Sequence, residues 1–342
     1  MNVLALVSGL LVASSISQPQ SNRPVLKAAP LAKNDVVALV APASPLDEAL
    51  VKRAVEYLRK TGYRVKLSLG YREARGYLAA TDERRAAELN AIFANPDVKA
   101  ILCLRGGYGS PRILDKIDYD LIRRNPKIFV GYSDITALLN AIQARTGLAV
   151  FHGLMAKDLS SPGGPTPFSS KYFWSAFQPE SHLFDDWGAL ASKASLRTLV
   201  RGRAEGVLVG GNLSVLTSTI GTPYAVNCQG AILFLEEVNE KVFRIDRMLN
   251  QLRLSGSLSR LRGVLLGQFT GGASAPRGRT LETVFEEYFG GLGVPVLTGY
   301  PAGHTTDQAT LPLGIRVRLD ATSKTLSLLE SAVSGSAVSR KK

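Results

Sequence analysis

The chain has 342 residues, with 41 Lys and Arg against 28 Asp and Glu, a formal net charge of +13, and only three His and two Cys. A disulfide-stapled scaffold needs many more cysteines, and Cys103, Cys228, His152, His182 and His304 show no CxxC or HExxH spacing, which argues against a metal site built from them. With 45% apolar and 20% charged residues the chain is globular, and its length suggests two domains, each able to hold its own core.

Residues 1–22 carry no charged side chain. The apolar run Val3 to Ala13 is too short to span a bilayer as a helix. Followed by the small residues Ser14-Ser15-Ile16-Ser17, it fits the apolar region of a secretory signal cleaved near Ser15 to Gln18. Only the amino terminus supplies positive charge ahead of it, so a mis-assigned start or an unstructured leader is the alternative. No other stretch is long and apolar enough to cross a membrane.

From Val36 strand-like and helix-like segments alternate. VVALVAP (36–42) reads as a strand and DEALVKRAVEYLRKTG (47–62) as an amphipathic helix with a Gly stop. YRVKLSL (63–69) alternates like a strand. TDERRAAELNAIFANP (81–96) has a Thr cap, an acidic first turn and an Asn-Pro stop. VKAILCL (98–104) and PKIFVGY (126–132) are strands, and DITALLNAIQARTG (134–147) is a helix. This order predicts βαβ units and a mainly parallel sheet. Residues 156–200 break the rhythm and read as a connection. A second unit then has a glycine-rich GVLVGGN, an apparent helix LSVLTSTIG, strands at 231–238, 262–269 and 294–300, helices at 243–256 and 280–293, and a terminal hairpin at 315–329. The expected division is a leader (1–32), an α/β domain (33–155), a connection (156–200), a second domain (201–332) and a tail (333–342).

The positive charge is spread along the chain. Residues 1–150 hold 21 basic and 13 acidic residues, net +8, and the rest hold 20 and 15, net +5. No basic run exceeds two residues before Arg340-Lys341-Lys342, and no nucleic-acid motif appears. A diffusely basic surface that favours acidic partners is expected, with no nucleic-acid partner.

Gly131-Tyr132-Ser133-Asp134 sits at a strand-to-helix junction, where a sharp turn lifts a hydroxyl above a sheet and beside free backbone N–H groups. Ile135 replaces the second glycine of G-x-S-x-G. A plain helix N-cap is the competing reading of Ser133. Arg105-Gly106-Gly107-Tyr108-Gly109 follows the preceding strand, so its loop lies at the same sheet edge. It is either a second oxyanion donor or a tight turn, and its spacing matches no nucleotide motif. A serine nucleophile needs a base. His304 follows a strand and would lie at a carboxyl edge, His152 reads as a packed, hydrogen-bonded residue, and His182 has no assigned role. The base needs a carboxylate. Glu236 and Glu237 point to opposite faces of their strand, so one of them can face His304. Asn212 opens a helix, as a cap or as a group that receives a polar part of a substrate. Cys103 reads as core.

These segments together resemble the serine LD-carboxypeptidases of murein recycling, whose relatives include the microcin C immunity proteins. The resemblance spans about Lys33 to Leu329 and rests on VALVAPASP (37–45), LRGGYGS (104–110), FVGYSDIT (129–136), FHG (151–153), GGNLSVL (210–216), LFLEEVNEKVFRIDRML (233–249) and AGHTTDQATLPLG (302–314). It implies a Ser133–Glu236–His304 triad, with oxyanion donors at the backbone amides of Gly107 and Asp134. It also implies an α/β fold: a flavodoxin-like N-terminal domain with a parallel sheet and a mixed, β-rich C-terminal domain, the active site lying between them. Glu237 stands where the family usually has Asp. Leu154 stands where Pro is usual, which should alter the substrate-side wall.

The expected reaction is release of a terminal D-alanine from a murein tetrapeptide through an acyl-enzyme, with no metal or cofactor. Arg105, Gly106 and Asn212 are the candidate substrate contacts. Arg105 would receive the substrate carboxylate or else brace the glycine turn. The alternatives are another serine acyl hydrolase, an esterase or amidase, and a non-catalytic peptide or muropeptide-binding protein. The leader favours a periplasmic location and the family resemblance a cytoplasmic one. A homodimer is an open alternative for assembly.

Overall fold

The apolar runs assemble into two sheets, described here from a computed structural model for residues 25–179, 196–272 and 278–335. The first half runs β1 (Val36–Val40), α1 (Glu48–Lys60), β2 (Arg64–Leu67), α2 (Asp82–Ala94), β3 (Val98–Cys103), α3 (Tyr119–Arg124), β4 (Ile128–Gly131), α4 (Thr136–Thr146), β5 (Val150–His152), α5 (Ala156–Leu159) and α6 (Pro167–Ser175). The second runs β6 (Arg197–Val200), β7 (Arg203–Asn212), α7 (Leu213–Ser218), β8 (Ala231–Val238), α8 (Val242–Leu254), β9 (Gly263–Thr270), α9 (Leu281–Phe289), β10 (Val296–Thr298), β11 (Leu311–Leu313), β12 (Arg316–Asp320) and β13 (Thr325–Leu328).

In the first sheet the order is β2-β1-β3-β4-β5, all parallel, with β11 antiparallel on the far side of β5. Every residue of β1 and β4 is buried, because helices cover both faces of a parallel sheet. Strand β2 keeps exposed positions, as an edge strand does. The order is the flavodoxin-like one, and it reverses direction between β1 and β3, where open α/β sheets bind ligands. The second sheet has the order β13-β12-β7-β8-β9-β10-β6. Strands β7 to β10 are parallel, β12 and β6 run antiparallel to them, and β13 pairs antiparallel with β12, so this sheet is mixed.

Two features lock the sheets together. Strand β11 comes from the second half of the chain but pairs with β5, Leu311 opposite His152. Helix α4 docks on the end of β7: Asn140 Nδ2 donates to the Gly210 carbonyl at 2.9 Å, and the Asn212 amide donates to Thr136 Oγ1 at 3.1 Å.

Several expectations are revised. The aromatic segment read as a connection contains α6, capped by Thr166 and opened by Pro167, with Phe168, Tyr172 and Phe173 buried. Its aromatic residues obscure the helical period, but the Thr-Pro start was a usable signal. Residues 25–32, grouped with the leader, are built into the fold: the Leu26 amide donates to the Gly147 carbonyl, and Ala28 and Leu31 are core residues. Residues 1–24, His182 and the Arg340-Lys341-Lys342 run lie outside the described residues. At the other end, Val333 is buried rather than part of a tail. Leu154 is a buried core residue. No helix among the described residues is long and apolar enough to cross a membrane.

Arg85 braces the loops at the strand-order reversal. Its buried guanidinium donates to the carbonyls of Pro42 after β1, Gly109 after β3 and Ala80, and pairs with Asp82 at 2.5 Å. Arg85→Met would take the guanidinium from the Pro42 and Ala80 carbonyls in the interior, while Asp82 and the Gly109 carbonyl keep Arg112 as a partner. The expected cost is about 1–3 kcal/mol, seen as a fall in Tm of several degrees by calorimetry. An unchanged Tm would show that the loops hold without it.

Candidate active site

Ser133 stands on a strained turn. After β4, Tyr132 is extended, Ser133 takes φ +62°, and a 3-10 turn over Ser133–Ile135 leads into α4. A left-handed φ at a non-glycine residue costs roughly 1–3 kcal/mol and persists where the surroundings impose it. The cap reading of Ser133 does not hold. The cap positions of the turn and of α4 are Tyr132 and Ile135, and neither end has a side-chain cap bond. Ile135, which stands in place of the second glycine, packs on the first: a Cβ at Gly131 would lie 2.6 Å from its Cγ2.

The glycine loop closes over this turn. A Cβ at Gly106 would lie 2.8 Å from Ser133 Cβ, 3.0 Å from its Oγ and 3.2 Å from the Asp134 amide nitrogen. Gly107 has φ +102°, and a Cβ there would lie 2.2 Å from Ser44 Oγ. Ser44, at the end of β1, is held by the same loop through the Gly106 carbonyl and the Tyr108 amide. Asp134 ties the turn to the loop: its carboxylate accepts from the Ser110 amide at 2.8 Å, and its carbonyl accepts from the Ser110 hydroxyl. Burial pushes the Asp134 carboxyl above its ordinary range. Arg105 is half-buried, its Nε has no hydrogen-bond partner, and it forms no ion pair among the described residues.

His304 arrives from the other sheet. Its Nδ1 lies 2.8 Å from Glu236 Oε2, and Glu236 is fully buried. The glutamate sits against two glycines: a Cβ at Gly303 would lie 2.6 Å from Oε2, and one at Gly267 would lie 3.2 Å from Glu236 Cβ. The His304 carbonyl accepts from Thr270 Oγ1 at 3.1 Å, and Gln308 Nε2 donates to the Gly303 carbonyl at 2.6 Å. The Tyr132 ring packs edge-on against the His304 ring, centroids 5.0 Å apart. The loop of His304 therefore meets the first sheet at the residue before Ser133.

The pleat separates the two glutamates as expected, but Glu237 is not a solvated strand end. It is buried, accepting from Asn212 Nδ2 at 3.0 Å, from the Ser214 amide at 2.8 Å and from the Ser214 hydroxyl. Asn212 caps α7 through the Val215 amide, so its side chain is used within the protein at both ends. His152 is packed as expected but not hydrogen-bonded among the described residues: neither ring nitrogen has a partner there, and burial lowers its pKa to about 4. Cys103 is core, and burial raises its thiol pKa well above the ordinary value. The sequence reading gave no role to Tyr132, although it lies inside the GYSD segment, nor to Asp158, which lies in the supposed connection. Tyr132 Oη donates to Asp158 Oδ1 at 3.1 Å.

Comparison with known proteins shows the family of the chain. The LD-carboxypeptidase N-terminal domain family matches residues 37–153, and the LD-carboxypeptidase C-terminal domain family matches residues 205–319. A probable murein peptide carboxypeptidase of Bacillus subtilis is 39% identical over 310 residues, covering 90% of this chain and 95% of its own length. Among solved structures, the microcin C7 self-immunity protein MccF in its wild-type apo state superposes with a TM-score of 0.82 at 29% identity, covering 90% of this chain and all of that one. A muramoyltetrapeptide carboxypeptidase from Oxalobacter formigenes gives 0.73 at 30% identity, covering 86% and 97%.

Gly303→Ala tests the cradle of the histidine–glutamate pair. The added methyl would collide with Oε2 and Cβ of Glu236, at a φ of +110° that alanine resists. The downfield proton resonance of a hydrogen-bonded His304 Nδ1–H should be present in the parent protein and lost in the variant. A resonance that persists unchanged would show that the pair tolerates the displacement.

Proposed function

The chain belongs to the LD-carboxypeptidase family and is a serine carboxypeptidase, and we propose that it releases the terminal D-alanine of murein tetrapeptides with a Ser133–His304–Glu236 triad. The observation that carries this reading is the 2.8 Å contact between His304 Nδ1 and buried Glu236, made by a loop that packs on the neighbour of a strained serine. A buried carboxylate on Nδ1 fixes that nitrogen as the proton donor. Nε2 is then left with a lone pair, the form a general base requires.

In the proposed reaction Ser133 Oγ adds to the carbonyl carbon between an L-centre and D-alanine, and its proton passes to His304 Nε2. The backbone amides of Gly107 and Asp134 donate to the oxyanion as charge develops there. The tetrahedral intermediate collapses, the C–N bond breaks, and Nε2 returns the proton to the leaving amine. A water molecule then attacks the acyl-enzyme, again giving its proton to Nε2, and Ser133 is released. Glu236 remains ionised and stabilises the imidazolium in both halves.

A carboxypeptidase must recognise a free carboxylate, and Arg105 is our assignment for that role. Its support is a guanidinium beside the glycine loop with no ion-pair partner among the described residues. Gly106, whose missing side chain lets the loop close against Ser133 and the Asp134 amide, is our candidate for contact with the substrate backbone. Asn212 contributes through the polar knot it forms with Glu237 and Ser214. For location, the uncharged residues 1–22 support export, and N-terminal sequencing of protein from fractionated cells distinguishes this from a cytoplasmic enzyme.

The assay is mass-spectrometric conversion of a muropeptide tetrapeptide to the tripeptide. Ser133→Ala and His304→Ala should each lower kcat by about 10⁴-fold or more, and the double variant should lose little further, because the triad acts as a unit. Arg105→Gln should mainly raise KM, and should do so less for a substrate amidated at its terminal carboxyl. Release of D-alanine by Ser133→Ala at the parent rate would overturn the assignment. Cleavage of a p-nitrophenyl ester but not of the tetrapeptide would point to a different acyl hydrolase.

A further inference from the structure

His304 is supported by more than Glu236. Tyr132 is only 5% exposed, and its ring lies against two imidazoles, that of His304 at 5.0 Å and that of His152 at 5.9 Å. Its hydroxyl donates to Asp158 Oδ1 at 3.1 Å, while Asp158 Oδ2 accepts from the Met155 amide at 2.9 Å. Both carboxylate oxygens of Asp158 therefore accept from fixed donors, an arrangement that suits the ionised form. Asp158 is anchored in turn. The neighbouring Lys157 amide donates to the Leu104 carbonyl, at the start of the glycine loop, and Arg53 Nε on α1 donates to the Ser160 carbonyl at 2.9 Å.

We propose that Tyr132 and Asp158 form a second support for His304, in which the tyrosine ring sets the imidazole's orientation and the Asp158 carboxylate adds negative charge that favours the imidazolium. Both are positioning residues, and neither needs to touch the substrate. The inference rests on His304 being the base. Among the described residues, the charged and titratable groups linked to that base are Glu236 on β8, His152 on β5 and Asp158 on α5, with Tyr132 between them and Lys157 acting on Asp158. Arg105, after β3, acts on Tyr132. Burial keeps His152 uncharged at neutral pH, so it does not oppose the imidazolium there. Burial also raises the Asp158 carboxyl, and the Met155 amide, Lys157, the Tyr132 hydroxyl and, least of these, His304 act against that rise. The attraction is mutual, so loss of the Asp158 charge must lower the proton affinity of His304.

The test is Asp158→Asn, whose amide can accept from the Met155 amide and donate to Tyr132 Oη, keeping both contacts while removing the charge. Three histidines make the imidazole C–H resonances easy to follow by NMR. His304 should titrate at lower pH in the variant than in the parent, and the acid limb of kcat/KM should move down by the same amount, with Tm close to that of the parent. Tyr132→Phe keeps the ring but frees it from Asp158. It should lower kcat several-fold at similar KM, and it serves as the second variant if Asp158→Asn fails to fold. An unmoved His304 titration and acid limb in Asp158→Asn, or parental kcat in Tyr132→Phe, would reduce the pair to packing. His304→Gln separates the two claims. If that variant keeps turnover, the base assignment itself fails, whereas if it is inactive and Asp158→Asn titrates like the parent, only the second support fails.

Discussion

The contact between His304 and Glu236 is the constraint around which the rest of the site is arranged. Glu236 is fully buried, one of its oxygens has no hydrogen-bond partner among the described residues, and the other rests on His304 Nδ1. An ionised carboxylate in that position is costly unless it is paired. Removing one member of such a pair typically costs about 3–5 kcal/mol. The surroundings are shaped to keep the two groups in register. Gly303 leaves room that any side chain would take from the carboxylate, Gly267 leaves room beside Glu236 Cβ, and Gln308 and Thr270 hold the backbone on either side of the imidazole. In a reaction that passes through an imidazolium, the same buried charge stabilises the charged intermediate state.

That pair would be useless if it stayed on its own sheet. Chain connectivity brings it across. The loop that carries His304 begins beyond β10 in the second sheet and ends in β11, which is zipped onto β5 in the first. Strand β5 also pairs with β4, Gly131 opposite His152, so the partner strand of β11 is the neighbour of the strand that delivers Ser133. Helix α4, which follows the serine turn, docks on the end of β7 beside Asn212, and Asn212 is in register with Glu236. Each proposed catalytic group is therefore held by elements of both halves. A hinge between the sheets would disrupt several hydrogen bonds and a strand pairing at once.

Much of this frame could be read from the sequence because fully buried strands leave continuous apolar runs. VVALV, AILC and IFVG needed no alternation to be recognised. The glutamate pair was half legible: strand pleating requires Glu236 and Glu237 to part, but not which one meets the histidine. The serine turn was legible as a junction, while its left-handed φ, which distinguishes it from a cap, was not. Helix α6 was hidden because aromatic residues lie on several sides of it and erase the apolar period. Arg85, Asp158 and the contact of Tyr132 with His304 were illegible for another reason. Each joins segments far apart in the chain, and no local pattern encodes a long-range partner.

Two histidines pack against the same tyrosine, and their different burial explains why only one suits the role of base. His152 lies wholly inside, with neither nitrogen paired, and desolvation lowers its pKa to about 4. An imidazole in that state resists protonation at neutral pH, so it cannot accept a proton in the transition state without a large penalty. His304 is still 18% exposed at its side chain, enough for a substrate to reach it, and its inner nitrogen already faces a carboxylate. Protonation there creates an ion pair instead of an isolated buried charge. A chain with only three histidines thus uses similar rings in opposite ways. One is part of the hydrophobic packing behind Tyr132, and the other faces a buried carboxylate, which suits the base we propose.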